Sequence, residues 1–76
     1  MFAISQTDFD KAEKLYLSKN FEQSKVLFQN YLKDNPSSLK TLEYLGDIEG
    51  QNKSWDNAIY YYKKLKQLKP LEANYY

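Results

Sequence analysis

The chain has no cysteine, no histidine and no arginine, and these absences remove most of the chemistry that 76 residues could carry. Without cysteine there are no disulfide staples and no thiolate nucleophile. Without cysteine or histidine, ordinary zinc sites and imidazole-based catalysis are excluded, so no metal and no cofactor is expected. All 11 basic residues are lysine, set against 10 acids for a formal charge of +1. That leaves no guanidinium fork to read phosphates or bases, and no bulk field to attract nucleic acid or an anionic lipid surface. No apolar run approaches the roughly 18 residues of a transmembrane helix, so no membrane insertion is expected. Ala3, Ile4 and Ser5 before Gln6 have the small-x-small spacing of a signal-peptide end, but the charged and apolar regions that belong before it are missing. The cytoplasm and the bacterial periplasm both stay open.

What is present is periodic. A shift of 34, the separation of Pro36 and Pro70, pairs Lys19 with Lys53, Asn20 with Ser54, Phe21 with Trp55 and Glu22 with Asp56. The same shift pairs Ala12 with Gly46, Ser24 with Ala58, Phe28 with Tyr62 and Tyr31 with Leu65. Few of these pairs are identities, but side-chain class is kept where a position is small, aromatic or chain-breaking, and there steric constraint is tightest.

Each period reads as two helices. Phe9, Ala12, Leu15 and Tyr16 have helical spacing from about Thr7 to Ser18, with Thr7 and Asp10 in a capping-box-like start. Asn20 with Gln23 repeats that start for a second helix. This one carries Phe21, Ser24, Val26, Leu27, Phe28, Tyr31 and Leu32 before Pro36 ends it. Leu42, Leu45, Gly46 and Ile48 mark a third helix. Ser54 opens a fourth with Trp55, Ala58, Ile59, Tyr62 and Leu65. Helices joined by so few residues run antiparallel.

The period of 34, the run Leu45-Gly46, Trp55, Ala58, Tyr62, Leu65, Pro70, and the run Ala12, Phe21, Ser24, Phe28, Pro36 resemble the tetratricopeptide repeat (TPR). The resemblance covers nearly the whole chain. It implies an all-α fold, an α-α superhelix or solenoid of antiparallel helix pairs, forming one domain over 1–76. Repeat one spans about 5–38, repeat two about 39–72, and a third starts at 73–76. It also implies close helix approach at the small pairs Ala12 with Ser24 and Gly46 with Ala58. The first repeat looks most like variants in bacterial envelope-associated repeat proteins. Two departures stand out. Lys19 and Lys53 occupy the left-handed turn position where the family has glycine, with Asn20 and Asn52 beside them to take part of the strain. Asp8 stands where a large apolar residue is usual, with Phe9 next to it as compensation.

In such folds the first helix of each pair lines a concave groove that takes extended or helical peptides. Residue by residue, the resemblance places Phe9, Asp10, Glu13, Tyr16, Leu17, Glu43, Tyr44, Asp47, Gly50 and Gln51 there. This groove is acidic and aromatic. It lacks the lysines and asparagines that would clamp a C-terminal carboxylate, and favours basic or aromatic segments of a protein partner. The same acids would equally serve as a solvated helix face.

Of the triplet Tyr60-Tyr61-Tyr62, one side of a helix points inward, and the repeat assigns that side to Tyr62. Four lysines against Glu72 give +3 from Asn57 onward, and seven lysines against nine acids give -2 before it; helix-end lysines in solvent account for the excess. Gly46 is explained by helix packing. Gly50 suggests either a wider groove or room for Tyr16 of the preceding repeat. Paired acids such as Asp8 with Asp10 or Glu43 with Asp47 have no nucleophile or metal-binding histidine beside them, which argues against an enzyme. The expected role is a protein-interaction scaffold. A structural spacer, or a self-associating fragment that forms a homo-oligomer through an unfinished C-terminal face, is the alternative.

Overall fold

The computed structural model describes residues 4–68, with side chains from residue 8 onward. It contains four helices: α1 Ile4–Leu17, α2 Phe21–Asp34, α3 Leu39–Gln51 and α4 Trp55–Leu68. No strand occurs among the described residues. α1 packs on α2 and α3 on α4, giving two hairpins that meet where α2 lies against α3. The expected start of a third repeat at 73–76 lies outside the described residues.

The sequence places the helices well but misassigns the beginning of α1 and the capping bond of α2. α1 starts at Ile4, so Thr7 is inside the helix and is not its cap. Neither glycine nor proline stands between Ile4 and Thr7 to stop the backbone from continuing toward the N-terminus. Asn20 precedes α2 but makes no side-chain cap; its amide turns back and donates to Ser18 Oγ at 3.2 Å. The working cap is one the periodicity does not announce. Ser38 accepts from the Thr41 N–H at 3.4 Å, and the two hydroxyls lie 2.7 Å apart. The Thr41 side chain is thereby satisfied in a fully buried position.

Both hairpin turns use one backbone device, spaced by 34 residues. Lys19 and Lys53 take left-handed φ values of 67° and 62°. The Asn20 N–H reaches back to the Leu15 carbonyl at 2.8 Å, and the Ser54 N–H to that of Glu49 at 2.9 Å. Lys19 N–H to Tyr16 and Lys53 N–H to Gly50 repeat at 3.0 Å each. These bonds satisfy the last carbonyls of α1 and α3 in the manner of a Schellman turn. The expectation that Asn20 and Asn52 share the strain is corrected: both have negative φ, at -88° and -85°, and the lysines carry all of it. A left-handed non-glycine residue costs about 1–2 kcal/mol. Lys19→Gly and Lys53→Gly should each raise the melting temperature by several degrees, at roughly 4–8 °C per kcal/mol for a domain of this size. Thermal denaturation followed by circular dichroism checks this.

Ala12, Phe28, Leu45 and Ile48 form the buried core, with Phe9, Tyr16, Phe21, Leu27, Leu32, Tyr44 and Tyr61 packed around it. The small pairs act as expected. Ser24, fully buried, donates its hydroxyl to the Ala12 carbonyl at 2.8 Å, which brings α2 directly onto the α1 backbone. In the second hairpin Gly46 and Ala58 are both buried, and the Tyr62 ring lies flat over Gly46.

The α2–α3 junction holds a group that no sequence pattern singles out. Glu49 is 2% exposed and pairs with Lys25 at 3.2 Å, while its Oε1 has no hydrogen-bond partner among the described residues. The 34-residue shift sets Glu49 on Leu15, so an apolar seat in one repeat holds a carboxylate in the next.

Candidate functional site

The ten residues expected to line a groove divide into two groups. Phe9, Glu13, Tyr16, Tyr44 and Asp47 are brought together between α1 and α3, while Asp10, Leu17, Glu43 and Gln51 are exposed around them, with half-buried Gly50 beside Trp55. Leu17 is 71% exposed. Phe9 is a packing residue: its ring meets those of Phe28, Tyr31 and Tyr44 at centroid distances of 5.6, 5.3 and 6.2 Å. It thus supplies the apolar contact that neighbouring Asp8 cannot. Tyr44 is the centre of this cluster, stacked on Phe28 at 4.7 Å and edge-on to Tyr16 at 4.7 Å.

Two carboxylates fix the hydroxyls of these rings. Tyr44 Oη donates to Glu13 Oε2 at 2.5 Å, joining α3 to α1. Asp47 accepts from Tyr62 at one oxygen and, through a long contact of 3.5 Å, from Tyr16 at the other, so one side chain of α3 touches α4 and α1. Burial, then the bond to Glu13 and its charge, push the Tyr44 phenol up to about 12. Burial and Asp47 raise Tyr62, and burial with the Asp47 charge raises Tyr16. A phenol whose folded pKa exceeds its unfolded value of about 10 adds stability that is fully present below pH 10 and is lost as pH rises through the folded pKa. The melting temperature should therefore fall from about pH 10 toward pH 12. Tyr44→Phe or Tyr62→Phe should flatten that fall, and tyrosinate absorbance should show Tyr44 ionising late.

The glycines behave differently from each other. A methyl at Gly46 would stand 2.8 Å from Cε1 and Cζ of Tyr62, inside contact distance. At Gly50 the nearest side-chain atom is Trp55 Cζ3 at 3.9 Å, which corrects the expectation that Gly50 makes room for Tyr16. The turn at Lys53 folds Trp55 back over the end of α3, while Tyr16 is engaged with Tyr44 and Phe21. Gly50→Ala should stabilise by up to about 1 kcal/mol through helix propensity alone. Gly46→Ala should destabilise by about 1 kcal/mol, because overpacking outweighs that gain. In a Tyr62→Ala background, chemical denaturation should find Gly46→Ala stabilising instead.

The tyrosine triplet is also reassigned. Tyr61 packs on the core and meets Gln29 of α2 through a 3.5 Å contact, whereas Tyr62 is 40% exposed. Tyr62 belongs to a stripe with Trp55 and Ile59, which are 59% and 56% exposed. Two of their counterparts in the first hairpin are covered by α3, Phe28 by Tyr44 and Lys25 by Glu49, and the third, Phe21, packs edge-on to Tyr16 of α1. Val26, read as part of an inward face, is 54% exposed.

Among the described residues no three acidic side chains converge as metal ligands, and no helix is long and apolar enough to cross a membrane. Comparison of the chain with family models, with curated proteins and with solved structures finds no match.

Proposed function

We propose that this chain is a TPR-like helical-repeat module that binds a basic segment of another protein across α1 and α3, and that it has no catalytic role. The observation that carries the reading is the row of carboxylates Asp10, Glu13, Glu43 and Asp47 on those two helices, with Glu13 and Asp47 held in place by tyrosine hydroxyls. Preset acceptors of one sign favour a lysine- or arginine-rich segment and disfavour an acidic one. The recurrence of the left-handed lysine turn and its backbone bonds at 34 residues supports a stacked-repeat architecture, in which successive hairpins present equivalent faces.

A structural spacer is the competing reading. It is favoured by the engagement of Phe9, Tyr16 and Tyr44 in internal packing. An NMR titration of the labelled domain with a lysine-rich and a glutamate-rich peptide, at low and high salt, separates the two. The interaction module predicts shifts confined to α1 and α3, with the basic peptide only and weakened by salt. Asp10→Lys with Glu43→Lys, both at exposed positions, should lower that affinity at least about 10-fold, with the melting temperature of the variant measured alongside. If neither peptide shifts those helices, the spacer reading stands.

A further inference from the structure

We propose that the stripe on α4 is a self-association surface. Its occupant is a second copy of this chain, with the two α4 helices antiparallel about a two-fold axis passing between Ile59 and Tyr62.

The stripe is a contiguous apolar surface in the wrong place for a monomer. Trp55, Ile59 and Tyr62 are 59%, 56% and 40% exposed, and they border an open cleft of about 550 Å³ against Asp47 and Gly50 of α3. Exposed aromatic and aliphatic side chains grouped in this way mark contact surfaces.

The order of residues selects the partner. Trp55, Ile59, Tyr62 and exposed Lys66 fall at i, i+4, i+7 and i+11, one stripe along the helix. Read backwards, the stripe complements itself. Antiparallel pairing sets Ile59 against Tyr62 of the second copy and Trp55 against its Lys66, a cation over an indole face. One flank of the stripe carries Asp56 and Lys63, both exposed. A two-fold axis between antiparallel helices brings like flank to like flank, so Asp56 of each copy meets Lys63 of the other. Parallel pairing would instead set that flank against the opposite one, which carries Ala58 and Leu65, and would give Asp56 and Lys63 no opposite charge.

The opposite end of the molecule argues against open-ended stacking. Where α3 presents fully buried Leu45 and Ile48, the 34-residue counterparts on α1 are Lys11 and Lys14, both exposed. A copy that laid α1 on α4 would bury two lysine charges in an apolar contact, which is unfavourable. Association therefore closes at two copies.

Sedimentation equilibrium of the full chain from micromolar to millimolar concentration tests this. The expected result is a monomer–dimer equilibrium, with emission from Trp55, the only tryptophan, shifting to the blue as the dimer forms. Ile59→Asp, at an exposed site, should give a folded monomer throughout. Asp56→Lys and Lys63→Asp should each weaken dimerisation about 10-fold or more, and the double swap should restore it to within a few-fold. Three outcomes overturn the proposal: a chain monomeric at millimolar concentration, a mass that grows without limit, or a double swap that restores nothing. A monomer whose Trp55 emission is already blue-shifted also overturns it, and assigns the stripe to a segment of the same chain.

Discussion

Lys25→Met should lose most of the stability of this domain. Glu49 lies at the α2–α3 junction, 2% exposed, paired with Lys25 and, among the described residues, with no hydrogen bond to Oε1. Removing one member of a buried pair leaves an uncompensated charge in a low-dielectric site, at about 3–5 kcal/mol. For a chain of this length total stability is of the order of 4–11 kcal/mol, so the melting temperature should drop by roughly 15 °C or more. Glu49→Gln should cost less, because the Lys25 side chain is 27% exposed and can turn to water. The double replacement Lys25→Met with Glu49→Leu should return to within about 1 kcal/mol of the parent or exceed it, since packed apolar residues often replace a buried ion pair without loss. Urea denaturation of the four proteins checks the set. A Lys25→Met variant within about 0.5 kcal/mol of the parent would show that water reaches Glu49, and that the pair does not hold α2 on α3.

Tyr44→Ala should cost about 3 kcal/mol or more, as large-to-small aromatic replacements in cores do. Its ring seals Phe28, braces Phe9 and Tyr16, and carries the hydroxyl that reaches Glu13. Tyr44→Phe keeps the stack and loses only the hydrogen bond, for about 1 kcal/mol. The separation between these two variants measures how much of the α1–α3 contact is ring packing. It also means that a Tyr44→Ala, Asp47→Ala protein is unsuitable as a binding-null control, because it tests folding first. Exposed Asp10 and Glu43 are the positions for that purpose.

The four helices are legible in the sequence because apolar spacing reports how long a stretch stays helical. Spacing does not report which neighbour covers each part of an apolar face. Trp55, Ala58, Ile59, Tyr62 and Leu65 share one apolar face that expects a further neighbour, and only the structure shows how it divides: Ala58 is buried, while Trp55, Ile59 and Tyr62 stay exposed. The Lys25–Glu49 pair is illegible for the converse reason: two charged residues on separate helices carry no local sign that folding will bring them together in a dry site. Thr7 has no capping role because a cap needs a break in the backbone and Thr7 lies inside α1, whereas Asn20 stands at the break but gives its side-chain amide to Ser18. Of the expected surface, Phe9, Tyr16 and Tyr44 lie together, but they face one another as much as they face solvent.

Asp47 has a consequence for communication across the molecule. Its two oxygens are shared between Tyr62 of α4 and Tyr16 of α1. A change at Asp47 is therefore felt on both neighbouring helices at once: losing its carboxylate strips an acceptor from Tyr62 on α4 and from Tyr16 on α1, while the Tyr44–Glu13 bond still ties α3 to α1.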